Sequence, residues 1–139
     1  MADLALTGSC LCGGVRYEVT GEPTRFYHCH CSRCRKATGT GHASNLLVPG
    51  DGLRFLSGEA LLAAYKLPDS ERFTNRFCSQ CGGRVPRVVP ELGAVIIPAG
   101  SLDSEPPIGP QGRIFWDSRA SWSCSGDELP TYPETAPMG

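Results

Sequence analysis

Apolar and polar positions alternate with a period of two along much of the chain. In "VRYEVT", Val15, Tyr17 and Val19 alternate with Arg16, Glu18 and Thr20, the pattern of a strand with one buried and one wet face. The segments "RFYHC", "SNLLVP", "LRFLSG", "LLAAYKL", "FTNRFC", "RVPRVV" and "GAVIIPAG" are also short, apolar and bounded by Gly, Pro or Asp, so they predict further strands. Only "CSRCRKATG" reads as helix, with room for about two turns. The pattern therefore predicts a mainly β, single-domain fold of short antiparallel strands with little helix. A count of 17 Gly and 12 Pro fits many tight turns. The domain is expected over residues 1–126. The Pro-rich, polar segment 127–139 is expected to be a tail that leaves the core.

Composition narrows the function classes. A chain of 139 residues is long enough for one core without staples. Its 13 Lys and Arg are matched by 14 Asp and Glu, so no basic excess points to a nucleic-acid partner. The longest apolar runs, "NLLV" and "AVII", fall far short of the roughly 20 residues of a membrane span. "MADLALTGSC" has no basic start followed by a long apolar stretch. The expectation is a cytoplasmic protein with no membrane partner; the oligomeric state is not legible.

Eight cysteines in a reducing compartment point to metal or redox chemistry more than to disulfides. Cys10 and Cys12 in "CLCGG", and Cys78 and Cys81 in "CSQCGG", are each followed by two glycines. Glycine permits a sharp knuckle in which backbone N–H groups face the sulfurs. Two such knuckles supply four thiolates, the ligand set of a closed, structural zinc.

A different pattern holds in "YHCHCSRCR". Cys29, Cys31 and Cys34 are followed by Arg35 and Lys36 instead of glycine. Three thiolates leave a fourth zinc position open to water, a substrate or another side chain. Arg33, Arg35 and Lys36 would lower thiolate pKa values and favour anions beside the metal, or else form a solvated face. His30, between two ligands, is expected to point away as a hydrogen-bonding spacer, and His28 to sit in the core or beside the site. Cys124 in "SWSCSG" reads first as a small buried hydrophobe and second as a ligand.

The ordered set "GSCLCGGVRYEV", "CHCSRCRKATG", "FLSGEALLAAYKL", "RFCSQCGGRV" and "AGSLD" resembles the glutathione-dependent formaldehyde-activating enzyme family, which shares its domain with centromere protein V. "FWDSRASW" is similar to the segment that closes that domain. The resemblance runs from about Gly8 to Trp122. It implies an Mss4-like β fold, a structural zinc on Cys10, Cys12, Cys78 and Cys81, and a second, exchangeable zinc on Cys29, Cys31 and Cys34, where the reaction occurs. Two zinc ions per chain are implied. The sequence departs from the family pattern in the additional His28, in "CGGRVPR" and in Cys124, and keeps all seven ligand positions.

The implied activity is that of a carbon–sulfur lyase similar to S-(hydroxymethyl)glutathione synthase. A small thiol adds to formaldehyde or another small aldehyde and gives an S-hydroxymethyl adduct, so the partners are a small-molecule thiol and aldehyde. Two alternatives remain at this level: a non-catalytic carrier of the thiol or its adduct, and a zinc-stabilised interaction module. Turnover at limiting protein separates the first reading from both.

Overall fold

The computed structural model describes residues 5–123 and 129–137. Ten strands and one short α-helix make up its regular structure, with 3₁₀ turns between them. β1 (Ala5–Ser9), β2 (Arg16–Thr20) and β5 (Leu53–Ser57) form an antiparallel sheet in the order β1-β2-β5. β3 (Arg25–Cys29), β4 (Ala43–Pro49), β8 (Arg87–Val89), β9 (Ala94–Pro98) and β10 (Gly112–Ile114) form a second sheet in the order β10-β3-β4-β9-β8. β6 (Leu62–Lys66) and β7 (Thr74–Cys78) make a separate antiparallel hairpin. The antiparallel expectation holds throughout except for β10, which runs parallel to β3 and sets Ile114 beside Cys29.

The two larger sheets share one core. Leu6, Tyr17 and Val19 of the first pack with Phe26, Leu46, Val48, Val95 and Ile97 of the second. The period-two reading of residues 15–19 is reproduced: Val15, Tyr17 and Val19 are buried, while Arg16 is exposed. Tyr17 is the largest fully buried side chain, and its hydroxyl meets Ser101 Oγ at 2.6 Å. Burial pushes its pKa up to about 12. Gly8 lies against this ring, and any side chain there would collide with the phenol. That requirement explains why β1 carries so little apolar signal: one of its two inward positions is a glycine.

Alternation also gives the second sheet two distinct faces. Phe26, Leu46, Val48, Val95 and Ile97 point into the core. Residues of opposite parity, Cys29, Asn45, Arg87, Ile96 and Pro98, line a cavity on the other side. The segment "RVPRVV" forms a strand only from Arg87, because Pro86 has no N–H for the ladder; Arg84 makes an isolated bridge to Phe77 instead. The helix α1 (Ser32–Thr38) lies where "CSRCRKATG" predicts it. Cys31 is its N-cap and accepts the Cys34 N–H, and Gly39 closes it in the left-handed conformation. Residues 129–137 are exposed and carry neither helix nor strand.

Candidate functional site

The two predicted knuckles come together. Cys10 and Cys12 lie in the turn after β1, and Cys78 ends β7 with Cys81 in the turn that follows. All four sulfurs lie within 4.8 Å of one another. Gly13 and Gly82, the first glycine after each pair, adopt φ values of 79° and 78°, a turn that other residues enter only with strain. Backbone N–H groups aim at the sulfurs: Val15 at Cys10 (3.2 Å), Gly14 at Cys12 (3.4 Å), Gln80 at Cys78 (3.3 Å) and Gly83 at Cys81 (3.4 Å). The Gly83 N–H is the chief reason that Cys81 is held at about 6. Beneath this cluster Val15 and Val85 pack against Cys10 and Cys78.

The second cluster joins the end of β3 to the start of α1. Cys29, Cys31 and Cys34 are all buried, and their sulfurs also lie within 4.8 Å of one another. Cys29 is pulled down to about 6, chiefly by the hydrogen bond that Cys34 gives it, with the Arg33 charge adding to the effect. Cys34, holding that proton, is pushed far above the ordinary thiol range.

Both sets fit zinc on their donor chemistry and spacing. Tetrahedral bonds of about 2.3 Å from zinc to thiolate place sulfurs about 3.8 Å apart. The Cys10–Cys12, Cys12–Cys78 and Cys29–Cys31 sulfur pairs stand at 3.6, 3.9 and 3.5 Å. Four sulfurs complete such a shell, whereas three leave it open.

His28 and His30 do not join the sulfurs. They pack with His42, so that all three histidines of the chain share one cluster. His28 stacks on His42 at 4.0 Å, and His30 meets the Trp116 ring edge-on at 4.9 Å. His30 is 1% exposed, and its Nδ1 lies 3.4 Å from Ser123 Oγ. Cys124 lies outside the described residues.

A cavity of about 250 Å³ opens over the three-cysteine cluster. Its wall contains Arg33, Arg72, Arg76, Arg84 and Arg87, and no Asp or Glu. Of the three cations expected beside the cluster, only Arg33 faces this space. One step along the helix from Cys34, Arg35 turns away and donates to the carbonyls of His30 (3.4 Å) and Ser118 (3.3 Å), and Lys36 is exposed and absent from the wall.

The other four arginines come from the β6–β7 hairpin region and from the segment after the second knuckle, Arg84 at an isolated bridge and Arg87 in β8. For Arg84 and Arg87 the sequence signal is "CGGRVPR", read for its cysteines, as a strand and as a departure from the family pattern, but not for its two arginines. Phe115 stands at the cavity with φ 55°, the one non-glycine residue with positive φ among those described. A backbone of this kind costs about 1–3 kcal/mol and marks a position fixed by its surroundings.

Comparison with known proteins gives a consistent result. The sequence model of the family described as "Glutathione-dependent formaldehyde-activating enzyme" matches residues 5–118. A protein from Halomonas elongata, provisionally named a glutathione-dependent formaldehyde-activating enzyme, is 32% identical over 127 residues, covering 86% of this chain and 80% of its own. Among solved structures, a Rhodobacter sphaeroides protein superposes with a TM-score of 0.60 at 23% identity, over 77% of this chain and 98% of that one. The last likeness concerns the fold alone.

Proposed function

The chain belongs to the glutathione-dependent formaldehyde-activating enzyme family, and from that premise we propose that it catalyses addition of a glutathione-like thiol to formaldehyde or a similarly small aldehyde. The product is an S-hydroxymethyl thiol, and the reverse reaction is a carbon–sulfur cleavage. The observation that carries this reading is the difference between the clusters. Four sulfurs close one metal shell, while three buried sulfurs form the floor of a cavity large enough for a small ligand.

In this reading Cys10, Cys12, Cys78 and Cys81 hold a structural zinc, and Cys29, Cys31 and Cys34 hold the metal at the reaction site. Zinc bound at the three-cysteine cluster supplies a Lewis acid for the aldehyde oxygen and a means of lowering the thiol pKa. The protein's own groups do the rest. The buried floor of Cys29, Cys31, Cys34 and Ala43 limits water beneath the reacting atoms. Asn45 and Arg33 line the cavity beside the sulfurs and would supply hydrogen bonds to the oxyanion that develops as sulfur attacks carbon. Holding thiol and aldehyde in one small cavity replaces a bimolecular encounter by an oriented one.

The test is exchange between formaldehyde and its glutathione adduct, followed by carbon-13 NMR at protein concentrations far below those of the reactants. Exchange faster than in buffer, and its loss in Cys31→Ser, is expected. Exchange at the uncatalysed rate with fully zinc-loaded protein would refute the reading.

A further inference from the structure

The cavity wall brings five arginines together and contains no carboxylate. The one ion pair between described side chains joins Arg54 to Glu18, away from this wall. Arg33 lies over the Phe73 ring at 5.8 Å and Arg76 over Phe55 at 5.1 Å, so both are anchored by aromatic faces. Arg84 is fixed differently. Its Nε donates to Asn75 Oδ1 at 2.6 Å, which leaves the terminal amino groups for another acceptor. Arg87, opposite Ile96 on the cavity face of the sheet, has no hydrogen-bond partner on its side chain among the described residues.

These last two guanidinium groups are half-buried, and the charge of Arg84 bears on Arg87. Glu91, whose field also reaches Arg87, and Glu71 line a neighbouring groove whose wall includes Arg72, Arg76 and Arg87, so the carboxylates near these arginines lie on that side and none enters the cavity. Like charges held together in a partly dry cavity are unfavourable until an anion joins them. Three thiolates around a divalent metal carry a net charge of about −1, too little to offset five arginines. An anion is the ligand that such a wall favours, and guanidinium is the side chain best shaped to grip a carboxylate with two parallel hydrogen bonds.

We propose that Arg84 and Arg87 are specificity-determining residues that bind the carboxylates of the thiol substrate, so that the site accepts carboxylated thiols and rejects neutral or cationic ones. This rests on the reading of the cavity as the thiol site. The knuckle of Cys78 and Cys81 helps to place them, because Arg84 follows it within three residues and bonds back to β7 through Asn75.

The test is calorimetric binding of S-methylglutathione, whose blocked sulfur forms no adduct, to the zinc-loaded protein. Its analogue with both carboxylates replaced by primary amides serves as a carboxylate-free probe of similar shape, with the α-amino group acetylated in both probes so that the diamide is uncharged. The wild-type protein is expected to prefer the acid by about ten- to a hundredfold. Arg84→Gln and Arg87→Gln should each lower that preference about tenfold while binding of the diamide stays unchanged. Arg87→Lys should retain part of it, since charge survives and the fork does not.

Thermal melts accompany each variant. If Arg84→Gln loosens the hairpin through Asn75, Arg87→Gln still decides. Equal affinity for acid and diamide, no binding of the acid at millimolar concentration, or an unchanged preference in Arg87→Gln would overturn the proposal. Adduct exchange is measured separately. Charge discrimination without exchange removes the reaction and leaves the selection standing, and exchange without discrimination does the reverse.

Discussion

Replacing Cys10 by serine removes one of the four sulfurs that join the turn after β1 to the end of β7. Its effect follows from the length of chain that this junction closes. Cys12 and Cys78 are 66 residues apart in sequence, with their sulfurs at 3.9 Å. A cross-link over a loop of that length restricts the unfolded chain by about 4 kcal/mol on the chain-entropy account. The cluster of Cys29, Cys31 and Cys34 spans only five steps of sequence, and the same expression gives about 2 kcal/mol. Part of that smaller figure is already supplied by the helix cap.

Cys10 and Cys31 are equally buried, each 6% exposed, so the thiol-to-hydroxyl change largely cancels between Cys10→Ser and Cys31→Ser. Against a typical total of about 5–15 kcal/mol, the larger loss is severe. For a domain of this size it lowers the melting temperature by roughly 12–16 °C, and by about half that or less for Cys31→Ser. Calorimetric melts of the zinc-loaded proteins, with metal counted in each sample, provide the comparison. Equal depression by the two substitutions would refute the assignment of one cluster to structure and the other to reaction.

Gradual chelation should remove zinc in two stages, the three-sulfur site first, because it has one ligand fewer and adjoins the cavity; simultaneous loss of both metals contradicts this. Metal-free protein in air should form a disulfide between Cys31 and Cys34, whose CxxC spacing at the start of α1 brings the sulfurs together, and peptide mapping without reduction identifies it. Recovery of all three thiols after metal removal would show that they are held apart. Tyr17→Phe should cost about 1 kcal/mol at neutral pH through loss of the bond to Ser101. Because the folded pKa of Tyr17 is raised to about 12, its neutral form stabilises the fold fully below the unfolded value near ~10, and that stability is lost as pH rises between the two. Denaturant titrations from neutral to strongly alkaline pH should therefore show a shallower alkaline decline for Tyr17→Phe, and identical slopes would refute the linkage.

The parts of the molecule legible in the sequence are those set by near neighbours. Alternation identified β2 because Val15, Tyr17 and Val19 all face inward, and the helix was bounded by a capping Cys31 and by Gly39. β1 escaped because its inward positions are Leu6 and Gly8, a glycine forced by the phenol of Tyr17 and not by any local pattern. β10 has three residues and owes its place to pairing with β3. The sulfurs were legible for the same reason as the helix, since each ligand pair sits within one turn of chain. The arginine wall was not. Arg72, Arg76, Arg84 and Arg87 reach the cavity through the docking of a hairpin and the register of β8 on β9, and neither leaves a short-range signature.

That wall has a consequence for how such a molecule changes over time. On the proposed function the sulfurs of the reaction site come from one short stretch, residues 29–34, while most of the cationic wall comes from another, residues 72–87. Substrate preference can therefore drift by substitution in the second stretch while the chemistry of the first stays untouched. The Cys78–Cys81 knuckle lies inside the second stretch, its sulfurs gathered with those of the turn after β1. It acts as a fixed hinge pin on an exchangeable panel, so a redesigned thiol specificity requires altering the arginines on either side of the knuckle while keeping its two cysteines and their glycines.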